Sequence, residues 1–240
     1  MCTLVALLRT VPGYPLVVAM NRDEYYDRPS LPPELRQGPA EIVAPRDARA
    51  EGTWIGVNRQ GVVAALSNRF GGAAGPNARS RGLLCLESLT SASAGEAAMF
   101  SGEAPDRHKY NGFNLLHADA RQLVCTSHDK GTWAVHGRTG LNVLTNAGLN
   151  ADDPRALRVH ELLRESSFEE LDLAVDAMRR ALADHEDRGG RAICHHGEKT
   201  GTRSQTILAL DDAGWRHYRL WYAEGYPCTA KAVDLSDRFR

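Results

Sequence analysis

The stretch MCTLVALLRTVPGYPLVVAMNRDE, residues 1–24, decides the fold. Two apolar runs, Leu4–Leu8 and Leu16–Met20, flank Val11-Pro12-Gly13-Tyr14-Pro15, a turn sequence, so the segment reads as a β-hairpin. Within each run apolar side chains stand at successive positions. Neighbouring residues on a strand point to opposite faces, so a continuously apolar strand needs cover on both sides. Val62–Leu66 and Ile207–Leu210 repeat the pattern. A sheet covered by a second sheet on one face and by helices on the other satisfies all of them.

Outward from the hairpin, the proline-rich, charged stretch Asp27–Glu51 lacks periodicity and reads as a long functional loop. Strands are expected at Thr53–Asn58, Gly61–Ser67, Gly112–Ala118, Gln122–Ser127, Thr132–His136, Leu141–Thr145, Gln205–Leu210 and Trp215–Tyr222. A helical block in two pieces spans about Ser80 to Phe100, the second piece opening on the capping-box pair Ser93 and Glu96. A second block begins with Asp153 as N-cap and Pro154 at the first helical position. Ser167 and Glu170 then cap a helix whose Leu171, Val175, Met178 and Leu182 share one face, and Gly189-Gly190 closes that helix. Short turns join most strands, so the sheets are expected to be mainly antiparallel. The whole reads as an α+β protein, two sheets face to face with a helix layer outside each, in a single domain over residues 1–240.

Composition narrows the function. Over 240 residues, 29 Lys and Arg against 30 Asp and Glu give a net charge of −1, which excludes the basic footprint of a nucleic-acid binder. A hydrophobic content of 42% with 25% charged residues fits a globular chain. No apolar run approaches the roughly 18–20 residues that span a bilayer, and Leu4–Leu8 is too short for a signal peptide. The five scattered cysteines (Cys2, Cys85, Cys125, Cys194, Cys228) form neither a disulfide framework nor a CxxC pair, which places the protein in a reducing cytoplasm.

Several chemistries lack their motifs: there is no GxSxG, no HExxH and no GxGxxG after a strand. Gly197-Glu198-Lys199-Thr200 resembles the end of a phosphate loop, yet Ala192 stands where its first glycine belongs. Cys194, His195 and His196 read as a strand end whose side chains alternate in direction and do not converge, so no metal site is expected. No cofactor motif appears either.

Cys2 is the residue with chemical promise. Removal of Met1 would leave a thiol and a free α-amine on one Cα. An α-amine titrates at roughly 7.7–8.0 and a thiol at roughly 8.5, so the amine can serve as the thiol's own general base.

Beyond Cys2, AMNRDEYYDRPS at 19–30 and APRDARAEGTWIGVNRQGVVAALSNRF at 44–70 resemble the NRDE, or transport-and-Golgi-organisation, family. YNGFNLL at 110–116, GLNVLTNAGLNADDP at 140–154 and GTRSQTILAL at 201–210 extend the resemblance along nearly the whole chain. That family in turn resembles the N-terminal nucleophile hydrolases of the choloylglycine hydrolase and penicillin V acylase branch. The resemblance implies a four-layer αββα sandwich and a set of catalytic residues. These are Cys2 as nucleophile, Asp23 to orient its amine, Asn68 and Asn146 as oxyanion or amine donors, and Arg203 to favour thiolate. Asn21, Arg22 and Glu24 complete the family signature, and Arg22 and Glu24 are expected to pair with Arg46-Asp47 of the following loop. Two departures stand out: Met20 replaces an arginine of the hydrolase pattern, and Glu51 replaces a glycine usual in the family.

The function implied is hydrolysis of a non-peptide C–N bond in a small acylated molecule. The alternative is non-catalytic binding or trafficking of haem or a lipid-like acyl ligand. The expected partner is thus a small amide substrate or hydrophobic ligand, with no nucleic acid and no integral membrane association.

Overall fold

The computed structural model describes residues 2–72, 74–75, 77–186, 192–214 and 217–239. The opening hairpin forms as read. Strands β1 (Thr3–Val11) and β2 (Tyr14–Tyr25) pair antiparallel, with Leu4 opposite Met20 and Leu8 opposite Leu16. Gly13 takes the turn at φ 75°, a conformation that costs glycine nothing.

The chain divides into two compact units. The first comprises residues 1–27, 138–145 and 150–240. To β1 and β2 it adds β10 (Gly140–Thr145), helices α3 (Pro154–Leu163) and α4 (Leu171–Leu182), then β12 (Thr200–Leu210), β13 (Arg219–Glu224) and β14 (Val233–Asp234). Its strands run in the order β10-β1-β2-β12-β13-β14, each neighbour antiparallel. One face packs Val5, Leu7, Val17, Ala19, Val143 and Ile207 against Ala156, Val159, Val175 and Met178 of α3 and α4. The alternate residues Leu4, Ala6, Leu8, Leu16, Val18 and Met20 are buried as well, as the continuous apolar runs require.

The second unit comprises residues 28–137 and 146–149. It holds β3 (Ser30–Arg36), β4 (Ile42–Asp47), β5 (Ile55–Asn58) and β6 (Val63–Asn68), then α1 (Arg81–Ser88) and α2 (Ala94–Arg107). Strands β7 (Phe113–Ala118), β8 (Leu123–His128), β9 (Thr132–His136) and the short β11 (Gly148–Leu149) complete it. Strands β3 to β9 lie side by side in sequence order, all antiparallel. Ala44, Ala64, Leu66, Phe113 and Leu115 pack against Leu84, Cys85 and Leu89 on and beside α1 and Ala104 of α2.

Two readings are corrected. Asp27–Glu51 is not a loop, because β3 and β4 pair within it. Pro32 and Pro33 sit in β3 at a register shift between Leu31 and Glu34, on the edge strand of the sheet, where a missing N–H breaks no inner ladder. Second, α4 starts at Leu171 without a side-chain cap, and Ser167 Oγ instead accepts from Glu169 N at 3.4 Å. The other caps form: Ser93 accepts from Glu96 N, and Asp153 accepts from Arg155 N and Ala156 N. Gly189-Gly190 and Trp215 lie outside the described residues. Among the described residues no helix is long and apolar enough to cross a membrane.

Candidate functional site

In the first unit the signature residues gather where β1 begins and β2 ends. Cys2 directly precedes β1 and is buried at 8% exposure, its Sγ 3.9 Å from the backbone oxygen of Asp23. Asp23 is also buried, and its Oδ1 accepts a 2.6 Å hydrogen bond from Thr202 Oγ1 on β12, directly opposite in the ladder. Thr202 is held in turn by the backbone of His195, whose N–H donates to Thr202 Oγ1 at 2.8 Å while Thr202 N–H donates to His195 O at 2.9 Å.

Burial sets the electrostatics. It pushes the Cys2 thiol above its ordinary value, with the Arg22 guanidinium opposing the shift. Burial also raises the Asp23 carboxyl, opposed by the Thr202 hydrogen bond and the charge of Arg155. Cys2 therefore rests as a neutral thiol, which calls for a base at the moment of attack rather than a standing thiolate.

Arg22 is buried at 3% exposure and lies 3.9 Å from Glu24 Oε2. Strand alternation puts it on the same face as Met20, whose partner Leu4 shares that face with Cys2. Arg22 thus supplies positive charge toward the thiol although Met20 has replaced the arginine of the hydrolase pattern. Arg203, expected near the sulfur, lies at a register shift of β12. Its guanidinium donates to Tyr26 O at 2.8 Å and lies 5.7 Å from the Tyr26 ring centre. Asn21 has a structural post: its Nδ2 donates to Leu182 O at 2.7 Å, tying β2 to the end of α4, and its Oδ1 accepts from Gln205. Of the loop residues expected to face the signature, Arg46 pairs with Glu34 and Glu51, and Asp47 pairs with Arg28 at 2.7 Å.

In the second unit Asn68 and Asn146 are brought together. Asn146 Nδ2 donates to the backbone oxygen of Asn68, while Asn146 Oδ1 is buried without a hydrogen-bond partner among the described residues. The Asn68 side chain is exposed. Asn114 and Arg69, which the sequence did not single out, hold this turn: Asn114 Nδ2 donates to Asn146 O at 3.2 Å, and Arg69 donates to Ala147 O at 2.6 Å. Both residues stand inside family-like stretches, SNRF and YNGFNLL, and that is the signal that marked them. Thr202 stands likewise in GTRSQ.

A model of the family described as Transport and Golgi organisation 2 matches residues 1–221. The chain belongs to this family. Its mouse relative, Transport and Golgi organization 2 homolog, is 29% identical over 233 residues, covering 84% of each chain. The human homolog is 28% identical with the same coverage. Solved structures share the fold. The Caenorhabditis elegans ortholog of N-acylethanolamine-hydrolyzing acid amidase gives a TM-score of 0.58 at 15% identity, covering 87% of this chain and 92% of that one. Conjugated bile acid hydrolase from Clostridium perfringens gives 0.60 at 11% identity, covering 99% and 93%. Penicillin V acylase from Agrobacterium tumefaciens gives 0.60 at 13% identity, covering 98% and 86%. The α+β fold of the N-terminal nucleophile hydrolases expected from the sequence is thereby shown for this family member.

Proposed function

We propose that the protein is a cytoplasmic N-terminal-cysteine amidohydrolase that cleaves the amide of a small acylated molecule. The observation that carries this reading is the buried Cys2 thiol lying against Asp23, with Thr202 fixing the Asp23 carboxyl. With Met1 removed, the Cys2 α-amine takes the thiol proton as Sγ attacks the substrate carbonyl carbon. The amine then returns that proton to the leaving nitrogen as the C–N bond breaks, leaving a thioester. Water adds with the same amine as base, releasing a carboxylic acid and the thiol. Arg22 stabilises the sulfur as charge develops on it. Asn68 and Asn146 remain proposed donors for the oxyanion on the family pattern.

The test is intact-mass analysis with a short pulse of limiting iodoacetamide and peptide mapping, followed by a panel of N-acyl amides. The expected result is loss of Met1, labelling of Cys2 ahead of Cys85, Cys125, Cys194 and Cys228, and amide hydrolysis abolished in Cys2→Ala. Arg22→Leu is expected to slow Cys2 alkylation, because it removes a charge that opposes the burial-driven rise of the thiol. Retained Met1, ordinary Cys2 reactivity, or full hydrolysis in Cys2→Ala would overturn the reading.

A second reading, carriage of an apolar or haem-like ligand, is favoured by a cleft in the second unit. Its volume is 600 Å³ and its lining includes Met99 of α2, Val124 of β8, and Trp133 and His136 of β9. Quenching of Trp133 fluorescence by a porphyrin or fatty acyl amide, undiminished in Cys2→Ala, would support it.

A further inference from the structure

Four side chains able to bind a soft or borderline metal meet in the first unit, at the turns that follow α4 and β13. Cys194 Sγ lies 3.7 Å from Cys228 Sγ, and His196 Nε2 lies 3.4 Å from the first and 3.3 Å from the second. The ligand atoms of His185, His196 and Cys228 all fall within 4.8 Å of one another. Of the three adjacent residues, Cys194 and His196 stand two apart and reach the same side, with a bridge between His196 and Gly201, and Cys228 joins them from a distant turn that sequence spacing does not disclose.

The spacing carries metal geometry. Tetrahedral zinc with Zn–S of about 2.3 Å and Zn–N of about 2.0–2.1 Å places two sulfurs about 3.8 Å apart and sulfur about 3.5 Å from nitrogen. The three observed edges match that triangle within about 0.3 Å. His185 stands beside this triangle, its ligand atom within 4.8 Å of those of His196 and Cys228, and its Nδ1 lies 3.3 Å from Ala183 O, which leaves Nε2 for a ligand bond. The scaffold is built. Asp184, next to His185, is gripped by Arg158 at 2.9 and 3.1 Å, and Asp184 O accepts from Cys194 N at 2.8 Å. The His196 ring stacks on Tyr226 at 4.1 Å between centres. Cys194 is buried, Cys228 half-buried and both histidines exposed, so an ion has an entry path.

We propose that Cys194, Cys228, His196 and His185 form a structural zinc(II) site that pins the turn after α4 to the turn after β13. The two thiols release their protons to solvent as they bind. Two thiolates then neutralise the divalent charge, which suits a half-buried position. The site stands independently of the hydrolase reading, since it uses none of the residues assigned to catalysis.

The experiment strips the full-length protein with chelator under anaerobic reducing conditions and titrates it with cobalt(II), then zinc(II). Expected are one cobalt per chain, visible ligand-field bands of tetrahedral coordination and a near-ultraviolet thiolate-to-cobalt charge-transfer band, all bleached by one equivalent of zinc. Cys228→Ser and His196→Ala should lose the charge-transfer band or the stoichiometry while circular dichroism shows them folded. These positions are less buried than Cys194 and carry the test if Cys194→Ser disturbs the core. His185→Ala should lower zinc affinity by at least the about 10- to 100-fold typical of outer-sphere partners. Cys2→Ala should bind metal as the wild type does. Octahedral or absent cobalt spectra would overturn the proposal. So would unchanged binding in Cys228→Ser and His196→Ala, or a Cys194–Cys228 disulfide formed in preference to binding when zinc is supplied.

Discussion

Cys2, Asn21, Arg22 and Asp23 were legible one residue at a time because their chemistry and their motif are local, but the direction of each side chain was not. Arg22 and Cys2 share a face of the sheet only because Met20 pairs with Leu4, a register that spacing alone does not disclose. Arg203 likewise has the residue type expected of a charge near the sulfur, but its hydrogen bond to Tyr26 O from a bulge of β12 is a contact that the sequence does not disclose. His117 escaped notice altogether. It is fully buried on β7, with Nε2 3.3 Å from Ser101 Oγ and Nδ1 lacking a hydrogen-bond partner among the described residues. Burial drives its pKa down to about 3, so the folded state keeps it neutral. An unfolded histidine takes a proton near pH 6.5, so between about pH 6.5 and 3 the unfolded chain binds the extra proton. Stability therefore falls as pH drops through that window, with a slope of up to about 1.4 kcal/mol per pH unit from this group. Urea denaturation from pH 7 to 4 should show a shallower decline in His117→Gln than in the wild type, and parallel profiles would mean that His117 protonates within the fold.

At the level of elements, helix caps and turns were readable because each depends on a few adjacent residues: Asp153 before Pro154, Ser93 before Glu96, Gly13 in its hairpin. The β3–β4 hairpin was hidden by its prolines, which an edge position tolerates and an inner one does not. The link from β4 to β5 shows how an element records a family departure. Glu51, where the family usually carries glycine, sits at φ 59° with its N–H bonded to Asp47 O at 2.8 Å. The left-handed region costs a side-chain-bearing residue about 1–2 kcal/mol. Gly52 beside it has no room for a side chain, since a Cβ there would come within 2.2 Å of the Gly82 carbonyl carbon. The turn is thus fixed by close backbone approach, and Glu51 must adopt its conformation whatever its preference. Glu51→Gly removes the strain, partly offset by the greater freedom of glycine in the unfolded chain and by the lost 3.4 Å pair with Arg46. The net expectation is a gain of about 0.5–1 kcal/mol in guanidinium denaturation. Glu51→Ala, which loses the pair and keeps the strain, should show no gain, and a loss in both variants would mean that the Arg46 pair outweighs the backbone.

Across the whole molecule, the fold class could be read from apolar runs covered on both faces, whereas the joining of distant strands could not. β2 reaches β12 across about three-quarters of the chain, and β10 reaches β1, because pairing partners are chosen by register and burial rather than by proximity in sequence. From that topology we propose that residues 1–240 fold as a single cooperative domain. The first unit is assembled from three segments, and residues 28–137 leave it after Asp27 and return at Arg138. Unfolding the second unit alone would keep its chain tethered at both ends. Holding a loop of about 100 residues closed withholds about 4.7 kcal/mol of unfolded-state entropy. Unfolding the first unit alone meets a similar restraint, since its segments stay joined through the folded insert. Partly unfolded states are therefore disfavoured, and a single cooperative transition is expected. Trp133 and Trp54 lie in the second unit and Trp221 in the first, so single-tryptophan variants report each separately. Guanidinium melts of variants retaining only Trp133 or only Trp221 should share one midpoint once each is referenced to its own far-ultraviolet circular dichroism curve. Separate midpoints, with the Trp221 signal surviving after Trp133 is exposed, would show instead that the insert melts on its own and that the chain holds two folding domains.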